Sequence, residues 1–205
     1  MVDAVATLRA AERVVGLLES HGIRAVVIGA VALAAYRYVR FTEDLDLGIE
    51  ADLPGIQALV SALRGEGFTA ELREPDGDDP LGGVIDATGP FGLIQIVNFG
   101  NRFPAVIRDA LAGDDVLVTP GGKLRVIPLP QLIALKLYAG GSKAKSDIIE
   151  VLRRNPEADL KEIQRICRSY RLRGLGELIR ELKDERSETG STRAPRVVEG
   201  APPST

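Results

Sequence analysis

The chain has 205 residues, 45% of them apolar and 27% charged, which suits one compact domain or a domain with a small helical extension. Lys and Arg number 26 against 29 Asp and Glu, and the net charge of −3 excludes bulk electrostatic attraction to nucleic acid while leaving room for a local basic face. The single cysteine, Cys167, excludes an internal disulfide; the longest apolar run, 25–36, is too short for a membrane span of roughly 20 residues. With Asp3 and Glu12 and no basic-then-apolar leader pattern, a cytoplasmic location is expected.

Val5, Leu8, Val14, Val15 and Leu18 recur at helical spacing and predict a helix over 4–20 that ends at His21-Gly22. His21, the lone histidine, has no ligand-like neighbours and belongs to that helix end. The run Val26-Val27-Ile28 predicts a buried strand, and Gly29 turns it at once into a short helix of Ala30, Ala32, Leu33, Ala34 and Ala35. Such a turn leaves backbone N–H groups free at a helix start, a seat for phosphate at Gly29 and Ala30. Past Arg40 and Thr42 comes a second strand over 44–49. Its alternation puts Asp44 and Asp46 on one face and Leu45 and Leu47 on the other. Two carboxylates side by side repel unless a cation sits between them, and hard divalent ions favour such an oxygen pair. A phosphate seat followed by paired acids points to phosphoryl or nucleotidyl transfer.

Pro54 opens a helix that stops at Gly65 and Gly67, and 69–73 reads as a strand. The segment PDGDDP, 75–80, carries Asp76, Asp78 and Asp79 but lacks the ligand spacing of a calcium loop and reads as a solvated turn. Strands are predicted over 84–88 and 93–99, joined by a Gly-Pro-Phe-Gly turn, then a helix over 103–111 and a second hairpin of 115–119 with 123–127. Helices follow over 131–139, 143–154, 159–170 and 175–183. From about Ser187 the tail is polar, rich in Pro and Gly, and is expected to be disordered. The organisation expected is thus a core over 1–128, a helical segment over 129–186 and a tail over 187–205.

The order strand, Gly29-Ala30-Val31-Ala32-Leu33, then Arg40-Phe41-Thr42-Glu43-Asp44-Leu45-Asp46 resembles the nucleotidyltransferase superfamily, the DNA-polymerase-beta-like fold. It is most similar to small bacterial members, including the nucleotidyltransferase-like toxins of abortive-infection and toxin–antitoxin systems. Ala30 departs from the Gly or Ser usual there; it removes a hydroxyl and keeps the N–H. The resemblance, over about 23–152, implies an α/β (α+β) fold: a mixed, mostly antiparallel sheet flanked by helices, with a C-terminal helical segment. It implies Mg²⁺-dependent transfer of a nucleotidyl group from an NTP to a hydroxyl acceptor, with Asp44 and Asp46 as metal ligands. A tRNA end would match the toxins and bring a cognate antitoxin as partner; a protein hydroxyl or an aminoglycoside would match other members.

Relatives add a third acid from a neighbouring strand, and where it is expected this chain has Gln95. If Gly89 to Gly92 form a four-residue turn with Thr88 opposite Leu93, Asp86 lies across from Gln95 on the same face and could supply the missing charge. The competing reading makes Asp86 an edge-strand charge and the protein a non-catalytic nucleotide binder with a degenerate site. The likeness also implies phosphate contacts from Arg40 and Thr42, from Lys136 in its apolar helix, and from Lys143 or Lys145; the alternatives are a pairing of Arg40 with Glu43 or Asp44 and plain surface for Lys143 and Lys145. For Lys136 the structural alternative is a snorkelling chain or a salt bridge to Asp147. Finally, Lys161, Arg165 and Arg168, extended by Arg171 and Arg173, make one basic helix face: a solvated surface or an RNA-phosphate contact.

Overall fold

Along β2 (Asp44–Ile49) the apolar residues Leu45, Leu47 and Ile49 are fully buried, while Asp44 and Asp46 alternate with them on the opposite side. This strand sits at the centre of the computed structural model, which describes residues 3–74, 82–100, 103–113 and 116–191. The 75–80 turn and residues 192–205 lie outside the described residues.

The first half of the chain alternates helices and strands: α1 (Ala4–Ser20), β1 (Ala25–Val27), α2 (Gly29–Ala35), β2, α3 (Leu53–Gly65) and β3 (Thr69–Arg73). Asp3 caps α1 by accepting from the Val5 N–H, and Asp52 caps α3 in the same way through Gly55. A hairpin of β4 (Val84–Gly89) and β5 (Gly92–Asn98) follows, then α4 (Pro104–Ala112) and the short strands β6 (Val116–Leu117) and β7 (Arg125–Val126). Among the described residues four helices follow: α5 (Leu129–Ala139), α6 (Gly141–Arg154), α7 (Leu160–Ser169) and α8 (Leu175–Ser191). Helix α8 runs to Ser191, four residues past Ser187, where the tail is expected to begin.

The seven strands form one mixed sheet in the order β3-β4-β5-β2-β1-β7-β6. Only β2 with β5 and β1 with β7 pair in parallel; the other pairs are antiparallel. Helices α1 and α3 cover the face that carries Leu45, Leu47, Ile94 and Ile96. On the other face, α4 to α8 share a core with Val26, Ile28 and Val126. Gly48 marks the border of that cover: a Cβ there would press to 2.8 Å from Ile107 Cδ1 of α4, so glycine lets the helix approach. Before Gly48, Asp44 and Asp46 of β2 are half-buried beside clefts.

Candidate active site

The site is built where β1 ends and β2 passes beside it. Ile28 donates its N–H to the Asp46 carbonyl at 2.9 Å, which carries the chain from β1 across to the start of α2. Gly29 has φ +64, and a Cβ on it would overlap Asp46 Oδ2. Glycine is required here twice, for the left-handed backbone and for the space the carboxylate fills. With seven residues, α2 is too short to lend much dipole, so Gly29 acts through close approach and the unpaired N–H groups of a first turn.

Asp46 is enclosed on most sides. Burial first, and Asp44 second, push its carboxyl up to about 6, while Lys136 and Arg40 pull it down only in part. Asp44 stands two residues earlier on the same face and accepts a hydrogen bond from the Thr42 hydroxyl. Lys136 on α5 reaches Asp147 on α6, Nζ to Oδ2 at 2.7 Å, and Arg40 Nε lies 3.8 Å from the other Asp147 oxygen. Asp147 is 2% exposed, so this is a buried network rather than a surface pair. Arg40 Nε is itself buried without a hydrogen-bond partner.

The two acids open into different spaces. Asp46, Gly29 and Lys136 line a cleft of about 370 Å³ whose remaining wall is Ile28, Val97, Phe99, Leu132, Leu135, Tyr138 and Ala139. Asp44 lines a second, of about 850 Å³, beside Thr42, Glu43 and Phe41.

The hairpin has the register the turn predicts: Gly89 faces Gly92, Thr88 faces Leu93 and Asp86 faces Gln95. Gln95 is in turn paired with Asp46 across β5 and β2. Asp46, Gln95 and Asp86 therefore form one row, and Asp86 stands two strand spacings, roughly 9–10 Å, from Asp46. Its carboxylate is engaged elsewhere, by Arg73 at 2.9 and 3.0 Å and by Gln95 Nε2 at 2.8 Å. Around Asp46 the structure places Gly29, Asp44, Lys136 and Arg40, with Thr42 on Asp44; Ala30 is buried and lines neither cleft, and Asp86 is not brought to them. Among the described residues no three His, Cys, Asp or Glu side chains group as a metal cage. Lys143 and Lys145 lie exposed near the start of α6 and line neither cleft.

In the sequence Asp147 stands out as a partner for Lys136 and within Lys143-Ala144-Lys145-Ser146-Asp147-Ile148, a segment similar to the small nucleotidyltransferases. The signal was a charged residue between Ala144 and Ile148 on what proves to be the buried face of α6. His21 ends α1 as expected, its Nδ1 2.9 Å from the Leu17 carbonyl. Cys167 is buried, and burial pushes its thiol up to about 11. On α7, Arg165 is bound at 2.6 and 2.7 Å by Glu162 of the same helix, which neutralises part of the basic face.

No protein-family model matches the chain, and no curated protein matches it in sequence. Solved structures do match in shape. An antigenic nucleotidyltransferase-like protein from Paracoccidioides brasiliensis is 17% identical, with 93% of each chain covered and a TM-score of 0.55. ANT(2")-Ia in complex with adenylyl-2"-tobramycin is 12% identical, with 80% of this chain and 96% of that one covered and a TM-score of 0.51. The solution structure of the antibiotic-resistance factor ANT(2'')-Ia is 14% identical, covering 93% and 100%, with a TM-score of 0.51. The chain has the nucleotidyltransferase fold.

Proposed function

We propose that this chain, with that fold, transfers a nucleotidyl group from a Mg²⁺-bound NTP to a hydroxyl acceptor at Asp44 and Asp46. The observation that carries the reading is the Asp46 carboxylate, lodged against Gly29 and held up to about 6 beside Asp44. A half-buried acid pair of which Asp46 is only in part neutralised fits a divalent cation, whose oxygen preference matches carboxylates and the amide oxygen of Gln95. Bound there, Mg²⁺ would polarise the α-phosphate and offset charge on the leaving pyrophosphate.

The chain's own groups supply the rest. Gly29 lets the phosphates come close to backbone N–H groups, and Lys136 with Arg40 brings positive charge to the cleft that holds Asp46. Asp147 fixes Lys136 in place. Because the Gln95 amide nitrogen donates to Asp86, its oxygen is left for the Asp46 side; in this reading Asp86 positions Gln95 instead of serving as the third ligand.

A tRNA acceptor and an antitoxin partner are what the likeness to the toxins implies. The basic face of α7 supports the tRNA reading less once Arg165 is paired with Glu162. One observation favours a second reading, a nucleotide binder without transfer: Gln95 is neutral where relatives carry an acid. Calorimetric titration with Mg²⁺–NTP, followed by assay of pyrophosphate release with tRNA and aminoglycoside acceptors, separates the two. The transferase reading expects binding and release, both lost in Asp46→Asn. Binding without release for any acceptor would favour the second reading, and unchanged affinity in Asp46→Asn would remove the site from this place.

A further inference from the structure

The chain between α2 and β2 is held at both ends and turned inward in the middle. At its start Arg37, with φ +63, pairs with Glu157 at 2.9 Å, and the Arg154 guanidinium lies 5.3 Å from the centre of the Tyr38 ring. At its end the Thr42 hydroxyl donates to Asp44. Between these anchors Val39 and Phe41 stand 79% and 85% exposed, while the charged Arg40 goes inward. That reverses the usual order, in which apolar chains are buried and arginine stays in water. What draws Arg40 in is Asp147, yet Nε stops 3.8 Å from Oδ1, too far for a hydrogen bond, and is buried with no hydrogen bond elsewhere. Lys136 already holds the other oxygen at 2.7 Å. A buried donor without an acceptor is costly in this state, and a second state in which it bonds accounts for its being kept.

From this geometry we propose that Asp147 exchanges cations when nucleotide binds: the polyphosphate draws Lys136 away, and Arg40 closes on Asp147 in its place. Arg40 is then a positioning residue, not a phosphate contact. The assignment rests on the transferase reading above and goes beyond it by giving Arg40 and the 37–43 segment a task. Lys136 lines the cleft with Asp46 and Gly29, whereas Arg40 lines neither cleft. Asp147 is too deeply buried to be left unpaired, so Lys136 can leave only if another cation arrives. Arg40 Nε is about 1 Å short of an ordinary charge-assisted hydrogen bond to it. The flexible lysine chain suits re-aiming at phosphate, and the planar guanidinium fork suits a carboxylate. Because Arg40 stands two residues before Thr42, its closure also tightens the connection that holds Asp44. Nucleotide in the cleft beside Asp46 is thereby sensed on the Asp44 side.

The chain has no tryptophan, so Phe41→Trp, at an exposed position, places a single fluorophore beside Arg40. The full chain with this substitution is titrated with Mg²⁺ and each NTP, by emission and by calorimetry in parallel. Emission should change with the calorimetric midpoint, and the change should be absent in Arg40→Gln at saturating nucleotide. Arg40→Gln should weaken NTP binding roughly tenfold or more, and Arg40→Lys by less. With Asp147→Asn already present, Arg40→Gln should change affinity little. Equal weakening in both backgrounds, which is what a direct phosphate contact gives, overturns the exchange. So does a melting temperature lowered by Arg40→Gln with NTP affinity unmoved, the mark of a residue that only supports the fold. Emission unmoved by bound nucleotide, or moved equally in Arg40→Gln, overturns it too, and decides alone should Asp147→Asn fail to fold. Absence of calorimetric binding for every Mg²⁺–NTP overturns the transferase reading on which the exchange rests, and is thereby told apart.

Discussion

Asp46 is costly to keep charged without a cation, and that cost has a pH signature. In an unfolded chain an aspartate titrates near 4; in the fold, burial and Asp44 raise Asp46 to about 6. Between these values the folded protein holds a proton that the unfolded chain has lost. Stability of the metal-free protein from this group is therefore full below about pH 4, falls as pH rises to about 6, and is level beyond. Two units correspond to about 3 kcal/mol as an order of magnitude. Other carboxylates titrate in the same range, so the informative quantity is the difference between the parent and Asp46→Asn. The melting temperature of the metal-free variant should exceed the parent's by a margin that widens from pH 4 to pH 6.5. A margin independent of pH would mean that Asp46 is not held in this way.

At the scale of paired elements, two arrangements govern the site. Across β2, β5 and β4, Gln95 stands between Asp46 and Asp86. If Asp86 acts through Gln95, Gln95→Ala should reduce turnover more than Asp86→Ala, by about tenfold or more, with NTP affinity changed little in the Asp86 variant. A larger loss from Asp86→Ala would restore Asp86 as a direct ligand. Between α5 and α6, Lys136 is the closest cation to the buried Asp147. Lys136→Met should cost about 3–5 kcal/mol in denaturant unfolding, and the double variant Lys136→Met with Asp147→Leu should recover part of that loss. If the double variant is no better than the single one, the pair is not the source of the cost. The hairpin register was legible in the sequence because Gly89 to Gly92 specify a tight turn and alternation does the rest. The insertion of β5 between β4 and β2 was not, since pairing between distant strands leaves no local periodicity. The same limit hid the second cleft: Phe41 reads as an ordinary apolar residue until its exposure is seen.

For the whole molecule, the sequence suggested a boundary near residue 128, where hairpins give way to helices. The core does not follow that division. Val26 of β1, Ile28 at the start of α2, Val106 and Ile107 of α4, and Leu132, Ile148, Ile163 and Ile179 of α5 to α8 belong to one contiguous apolar cluster. Tyr36, just past α2, donates its hydroxyl to the Ile127 carbonyl at 2.9 Å, and Asn155 after α6 returns to the Tyr36 carbonyl at 2.7 Å. Removing α5 to α8 would expose the sheet face that these side chains cover, and the sheet would lose the helix that carries Lys136 to Asp46. The chain should therefore unfold as one cooperative unit. Scanning calorimetry should give one transition whose calorimetric and van't Hoff enthalpies agree, and a fragment ending at residue 128 should lack a cooperative melt. Two resolved transitions in the full chain, or a fragment with a sharp melt of its own, would show that the helical segment is a separate folding unit and that the active cleft lies between two independently stable bodies.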